Sequence, residues 1–174
     1  SIATTVAEVS ERWPRHRDGF LAISPYLDPN IPLNVNACVF PDGAVALHAP
    51  SFQLIGLEVA TRRRFGYCGN DFAAIRELEP ELLDALEAIV LRVGRWLWQR
   101  GYLGAFGLDA IVHQGELYVA EINPRFQGSS SLAATLAAKA DRPDMFLDHV
   151  AAFLGLASPE PVRLRDLARE QAPF

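Results

Sequence analysis

Apolar and polar positions alternate strictly from Leu33 to Phe40: Leu33, Val35, Ala37 and Val39 form one set, Asn34, Asn36 and Cys38 the other. In an extended chain the two sets face opposite ways, which predicts a strand with one apolar face and one polar enough to line a site. Pro41-Asp42-Gly43 follows as a turn, proline fixing φ and glycine supplying φ > 0, and Ala44 to His48 is expected to return antiparallel. The helical period is clearest over Glu81–Arg100. There Leu82, Leu86, Ile89 or Val90, Val93 and Leu97 make one stripe, Gly101 marks the end, and Trp96 and Trp98 are expected to be packing residues.

Weaker signals complete the outline. Val6, Val9 and Trp13 predict a short helix over Thr4–Arg15, ended by Pro14 and Asp18-Gly19, and Phe20–Ile23 reads as a buried strand. Pro25, Pro29 and Pro32 stiffen the connector that follows. From Ala49 to Asn70 the pattern is irregular, mostly loop with some short strand. Strands are expected at Leu103–Val112 and Glu116–Ile122, and helices at about Ser130–Lys139 and about Pro143–Leu154. Pro159–Phe174 reads as polar and peripheral. These elements predict an α/β (α+β) fold with a largely antiparallel sheet and helices on one face.

Two acids interrupt otherwise apolar strands: Asp109 in Gly107-Leu108-Asp109-Ala110-Ile111 and Glu121 in Val119-Ala120-Glu121-Ile122-Asn123-Pro124-Arg125. A carboxylate among apolar neighbours loses hydration unless a cation or donor compensates it, and two together suggest a cation. Glu121 and Asn123, two residues apart, share a face. Asp109 joins them only in the right register. A three-residue loop, His113-Gln114-Gly115, sets Asp109 opposite Val119 and diagonal to Glu121, whereas a two-residue loop turns Asp109 to the other face. Oxygen-only ligands from Asp109, Glu121 and Asn123 favour Mg²⁺ or Mn²⁺, which takes few carboxylates and completes its shell with water and substrate phosphates. Arg125 offers a fork for a phosphate or carboxylate. Gly128-Ser129-Ser130 opens a helix whose first N–H groups can receive an anion. The competing reading makes the strand acids salt-bridge partners, with Asp109 paired to Arg125 and Asp109 and Glu121 on different faces.

Composition narrows the partners. The 174 residues suit one domain with a real core, half of them hydrophobic and 21% charged. With 21 acidic against 16 basic residues the net charge is −5, which offers a nucleic-acid backbone no strong positive field. The one basic cluster, Arg62–Arg64, could meet a phosphate, but three adjacent charges in a loop are expected to be solvated. Cys38 and Cys68 lie far apart, so neither a zinc site nor a disulfide framework is indicated. With His48, His113 and His149 they show no spacing for a nucleophile and base. No apolar run approaches the ~20 residues that cross a bilayer, and cytoplasm is the expected compartment.

Gly-x-Asp on one strand followed by Glu-Ile-Asn-Pro-Arg at the end of the next resembles the metal-binding hairpin of the ATP-grasp superfamily, which includes biotin carboxylase and carboxylate-amine ligases. The resemblance implies that Asp109, Glu121 and Asn123 bind the Mg²⁺ bridging ATP phosphates, and that Arg125 neutralises the transferring phosphoryl group or acyl phosphate. Leu21–Asp28 is similar to the hinge strand that receives adenine, implying nucleotide contacts at Ser24, Tyr26, Leu27 and Asn34. Family members usually carry glutamate at the position of Ser24 and often at about that of Asn34. Ser129 joins the nucleotide-binding set through its helix. Ser1–Thr5 resembles the stretch after the family's Gly-rich loop, so the resemblance implies an N-terminal part outside this chain that carries the phosphate-holding lysines; Lys139 is the lone lysine here. The implied division is residues 1–30 as the remnant of the small subdomain and hinge, 31–155 as the metal- and nucleotide-binding subdomain, and 156–174 as a peripheral tail. The implied chemistry is activation of a small carboxylate by ATP as an acyl phosphate, for attack by an amine or similar nucleophile, with this portion inactive alone. Two alternatives are a non-catalytic nucleotide- or ligand-binding remnant and a scaffold domain.

Overall fold

The structure is a computed structural model and describes residues 2–12 and 23–170. After helix α1 (Val6–Arg12), strands β1 (Ile31–Val39), β2 (Val45–Leu47), β3 (Ser51–Ile55) and β4 (Tyr67–Asp71) lead through a 3₁₀ turn (Ala74–Glu77) to the long helix α2 (Pro80–Trp98). Strands β5 (Gly104–His113) and β6 (Glu116–Asn123) and helices α3 (Ser130–Lys139), α4 (Met145–Phe153) and α5 (Leu164–Arg169) complete the chain. The strands form one antiparallel sheet in the order β4-β3-β1-β5-β6, with β2 also paired to β1.

The alternation in β1 decides where the core lies. Leu33, Val35, Ala37 and Val39 are fully buried with Phe106, Leu108 and Ala110 of β5, beneath Leu83, Leu86 and Val90 of α2. Burying each such aliphatic side chain contributes about 1.5–3 kcal/mol before ordering costs, so this face holds the sheet to the helix. The opposite face of β1 is equally dry, Asn34 being 2% exposed and Asn36 0%, and it meets the start of α3 through hydrogen bonds.

The Ala49–Asn70 stretch is mostly loop with short strand, as expected: β3 and β4 arise there through main-chain pairing of Asn34 with Ser51 and Phe52 with Asp71, which extends the sheet without an apolar period. Other expectations change. Ile23 is not in a strand; the rest of the Phe20–Ile23 strand, the Trp13–Arg15 end of the first helix and Leu21–Ala22 of the hinge lie outside the described residues. Trp96 and Trp98 stay about half exposed. Trp98 donates its ring N–H to Pro41 O at 3.0 Å, and Trp96 carries the Arg100 guanidinium 4.1 Å from its ring centroid. The segment read as a peripheral tail is tied in: Leu164, Leu167 and Ala168 join the main core. Glu87, 7% exposed, accepts the Leu164 N–H at 2.7 Å and pairs with Arg163 at 2.6 Å, placing a carboxylate at the N-terminus of α5.

Candidate functional site

The β5–β6 hairpin closes with two residues, not three. His113 pairs with Glu116, and Gln114 and Gly115 both take positive φ, 52° and 79°, as a tight primed turn requires. Continued regularly, that register would set Asp109 opposite Ala120 and turn Glu121 to the other face. A β-bulge prevents this: Ala110 pairs with Val119 but Asp109 pairs with Glu121, leaving Ala120 as the extra residue. The acids are therefore direct neighbours on one face. The expected diagonal placement, with Asp109 opposite Val119, is replaced by a closer one.

Pairing across the sheet extends this into rows. Ser51, Asn34, Asp109 and Glu121 lie side by side on β3, β1, β5 and β6, and Asn36, Gly107 and Asn123 form the next row. Gly107 leaves the space that the Gln127 carboxamide occupies; a Cβ built there would lie 1.8 Å from Gln127 Oε1 and displace that side chain. Asp109 Oδ1 accepts from Asn34 Nδ2 at 2.7 Å, Gln53 Nε2 at 3.0 Å and Gln127 Nε2 at 3.3 Å, while Oδ2 accepts from Asn123 Nδ2 at 3.2 Å. Neutral amides thus hold the carboxylate without cancelling its charge. Glu121 is exposed, and no hydrogen bond or ion pair ties its carboxylate to another described residue. Arg125 donates to Asn123 Oδ1 at 2.9 Å and to Phe126 O, and makes no ion pair with Asp109.

Beneath Asp109 the polar face of β1 fastens α3. Ser129 Oγ donates to Asn34 Oδ1 at 2.6 Å and accepts from Asn36 Nδ2 at 2.9 Å. Ser130 Oγ donates to Asn36 Oδ1 and accepts from the Gln127 N–H. Asn34 and Ser129, expected at the nucleotide, are buried in this network.

The expected hinge residues meet the acids across space. Ser24, Tyr26 and Leu27 line one cleft of about 990 Å³ together with Gln53, Asp109 and Glu121, at the upper end of the range for small-molecule sites. Asn123 and Arg125 stand beyond its lining. Arg64, weighed in sequence only as part of the solvated Arg62–Arg64 cluster, also lines this cleft. Arg62, Arg63 and Arg64 are all exposed, as expected, and the Arg64 guanidinium in addition lies 5.7 Å from the Tyr26 and Phe65 ring centroids in the cleft wall. The signal was a basic residue in an irregular loop, which reads no differently from its neighbours. Tyr67, whose ring touches the Gly128 region, has its phenol pushed above the ordinary range by burial first and then by the Asp109 carboxylate.

For a divalent cation, the donor chemistry fits: two carboxylates on neighbouring strands, one of them unpaired, beside the buried Asn123 amide. Among the described residues no group of three or more His, Cys, Asp or Glu side chains could hold a metal, so any ion here needs further oxygens from substrate or water, as Mg²⁺ commonly does.

The family described as ATP-grasp domain matches residues 42–129, half of the chain. The chain belongs to the ATP-grasp family. Solved structures agree on the fold. The N5-carboxyaminoimidazole synthetase of Staphylococcus aureus complexed with ADP is 17% identical, with a TM-score of 0.57 over 81% of this chain and 34% of that one. The biotin carboxylase–β-γ-ATP complex of Campylobacter jejuni is 17% identical, with a TM-score of 0.62 over 79% of this chain and 28% of that one. The biotin carboxylase domain of 2-oxoglutarate carboxylase from Hydrogenobacter thermophilus, in complex with MgADP and bicarbonate, is 16% identical at a TM-score of 0.58, over 78% of this chain and 27% of that one. This ATP-grasp chain spans about a third or less of the length of these structures. No curated protein matches it. Among the described residues no helix is long and apolar enough to cross a membrane.

Proposed function

We propose that this chain is the Mg-ATP-holding portion of an ATP-grasp ligase, one that activates a small carboxylate as an acyl phosphate for attack by an amine or similar nucleophile. The observation that carries the reading is the pairing of Asp109 with Glu121 on the floor of a cleft that Ser24, Tyr26 and Leu27 line on another side. In this reading Asp109, Glu121 and Asn123 hold Mg²⁺ or Mn²⁺, and the bound ion supplies neutralisation of charge on the phosphate oxygens. Backbone groups near Tyr26 and Leu27, with Ser24, receive the base. Arg125, swinging from Asn123, meets the transferring phosphoryl group or the acyl phosphate. Asn34 and Ser129 serve from below by fixing Asp109 and the start of α3. Residues 31–155 form the metal- and nucleotide-holding subdomain and 1–30 the edge of a smaller one, with the remaining cleft wall and the phosphate-holding lysines on an N-terminal part of the same protein, in the cytoplasm.

A second reading, a module that binds Mg-nucleotide without catalysis, is favoured by one observation: Lys139 is the lone lysine and does not line the cleft. Isothermal titration of ATP with and without Mg²⁺ tests what both share. Magnesium-dependent heat is expected in the wild type and absent in the Asp109→Asn/Glu121→Gln double variant. Equal heat in that variant, or no magnesium dependence, refutes the metal assignment. Release of phosphate from ATP in the presence of a carboxylate acceptor separates catalysis from binding.

A further inference from the structure

Helix α4 packs on the sheet by one side and leaves the other uncovered among the described residues. Met145 and Ala152 are buried, and His149 Nδ1 accepts the Ala105 N–H at 3.0 Å. Phe146, Leu147, Val150 and Phe153, with Leu154 and Leu156 just beyond the helix, are between 40% and 70% exposed. A whole aromatic side chain offers about 150–250 Å² and an aliphatic one somewhat less, so the six leave on the order of 600 Å² of apolar surface open. That reaches the top of the range for the largest patch on a monomer, and most of the roughly 800 Å² that each partner of a standard interface buries. None of the six lines the cleft.

The order of these residues says what covers the face. Phe146 and Phe153 stand seven apart on one flank, Leu147 and Leu154 seven apart on the other, and Val150 lies midway. At about 100° per residue all five fall within roughly 120° of the helix surface, with Val150 at the centre. Such a face is its own complement. Turned end for end about a twofold axis at Val150, a second copy brings the partner's Phe153 beside Phe146, the partner's Leu154 beside Leu147 and the partner's Val150 against Val150. From Met145 to Leu156 the chain carries one charge, Asp148, and it is buried. Two copies of a chain of net charge −5 therefore meet here without opposing like charges. A lipid surface is a poor match, because an interfacial helix carries Lys or Arg beside its apolar face and α4 has neither.

We propose that α4 is the joint of a twofold-symmetric dimer of this chain, in which the two helices pack antiparallel through Phe146, Leu147, Val150, Phe153 and Leu154. Phe126 extends the joint. Its ring centroid lies 4.8 Å from that of Phe146 and its carbonyl accepts from Arg125 at 3.1 Å, so the aromatic row runs from the helix pair to the Arg125 guanidinium. The assignment is independent of the nucleotide reading.

Sedimentation equilibrium of the chain across the micromolar range tests it, and a reversible monomer–dimer equilibrium is expected. Val150→Glu sets two carboxylates against each other on the axis and is expected to weaken the dimer by about a hundredfold or more, with a urea midpoint close to wild type because Val150 is exposed. In a Cys68→Ser background, where the remaining Cys38 is buried, Val150→Cys is expected to form a covalent dimer under oxidised glutathione, since a disulfide needs Cβ atoms within about 4.5 Å. Val59→Cys, 98% exposed on the loop between β3 and β4, is expected not to. A monomer at every concentration overturns the proposal and leaves the face to another segment or protein. So does a dimer that Val150→Glu leaves intact, which would place the contact elsewhere, or a Val150→Cys chain that crosslinks no faster than Val59→Cys. Should Val150→Glu fail to fold, the two cysteine variants decide.

Discussion

The two faces of β1 are equally dry and held by different physics. Leu33, Val35, Ala37 and Val39 are 0% exposed and contribute through area removed from water, which asks only for shape and volume. Asn34 and Asn36, 2% and 0% exposed, contribute through partners at fixed positions: Asp109, Gln127, Ser129 and Ser130. The apolar face tolerates a neighbour of similar size. Any change on the polar face strands a hydroxyl or a carboxylate without its donor, so one face sets how firmly the sheet holds and the other where the reactive side chains stand.

The largest effect should come from the apolar face. Leu33→Ala removes fully buried volume and is expected to cost about 2–5 kcal/mol in urea unfolding, while the magnesium-dependent ATP heat of the surviving folded chain stays close to wild type. Heat lost in proportion to that destabilisation would break the division between the faces. Next comes Asn34→Leu, which fills a similar space but strands Ser129 Oγ and removes the shortest amide bond to Asp109. It should cost about 1–3 kcal/mol for the partners left unpaired and weaken Mg-ATP binding out of proportion to that cost. Unchanged binding would make the network purely structural.

A smaller effect separates Cys38, which shares the parity of Asn34 and Asn36 but packs with Phe40, Ala46 and Ala152. Burial first, then the Asp148 carboxylate, pushes its thiol up from 9.0 to about 12. The folded chain keeps a proton that the unfolded chain releases, so this contribution to stability is complete below pH 9 and declines as pH rises towards 12. Cys38→Ala should remove that part of the decline, as read from urea midpoints across the alkaline range. The smallest effect concerns Tyr67. With the Asp109 charge removed in Asp109→Asn, the phenol pKa should move back towards its ordinary 10.0, though not fully, because burial is the larger cause; ultraviolet titration of the phenolate reads the shift.

Much of the fold was legible because β1 and α2 each carry a period that only one element satisfies, and β5 and β6 are short apolar runs on either side of a turn. The chemistry of the site was legible because acids within apolar strands are costly without compensation. What was not legible came from contacts distant in sequence. Strands β3 and β4 form by main-chain pairing, which leaves no side-chain period. Arg64 looks like Arg62 and Arg63 until the loop folds over Tyr26. Asn34 and Ser129 look like ligands until 95 residues of chain bring them together as a buried pair.

Asp109 and Glu121 show where the two kinds of information divide. Their identities, the apolar strands around them and the oxygen-only donor set are properties of the amino-acid order. Their meeting is not: the turn after His113 has two residues, and its regular register would separate them. The bulge at Ala120 restores the common face, in a sheet where β1 holds β5 along its length and Asn123 binds Asp109 from the far end of β6. Side-chain chemistry is local and can be read from the chain; register is a sum over contacts on both sides of a strand, and only the assembled sheet resolves it.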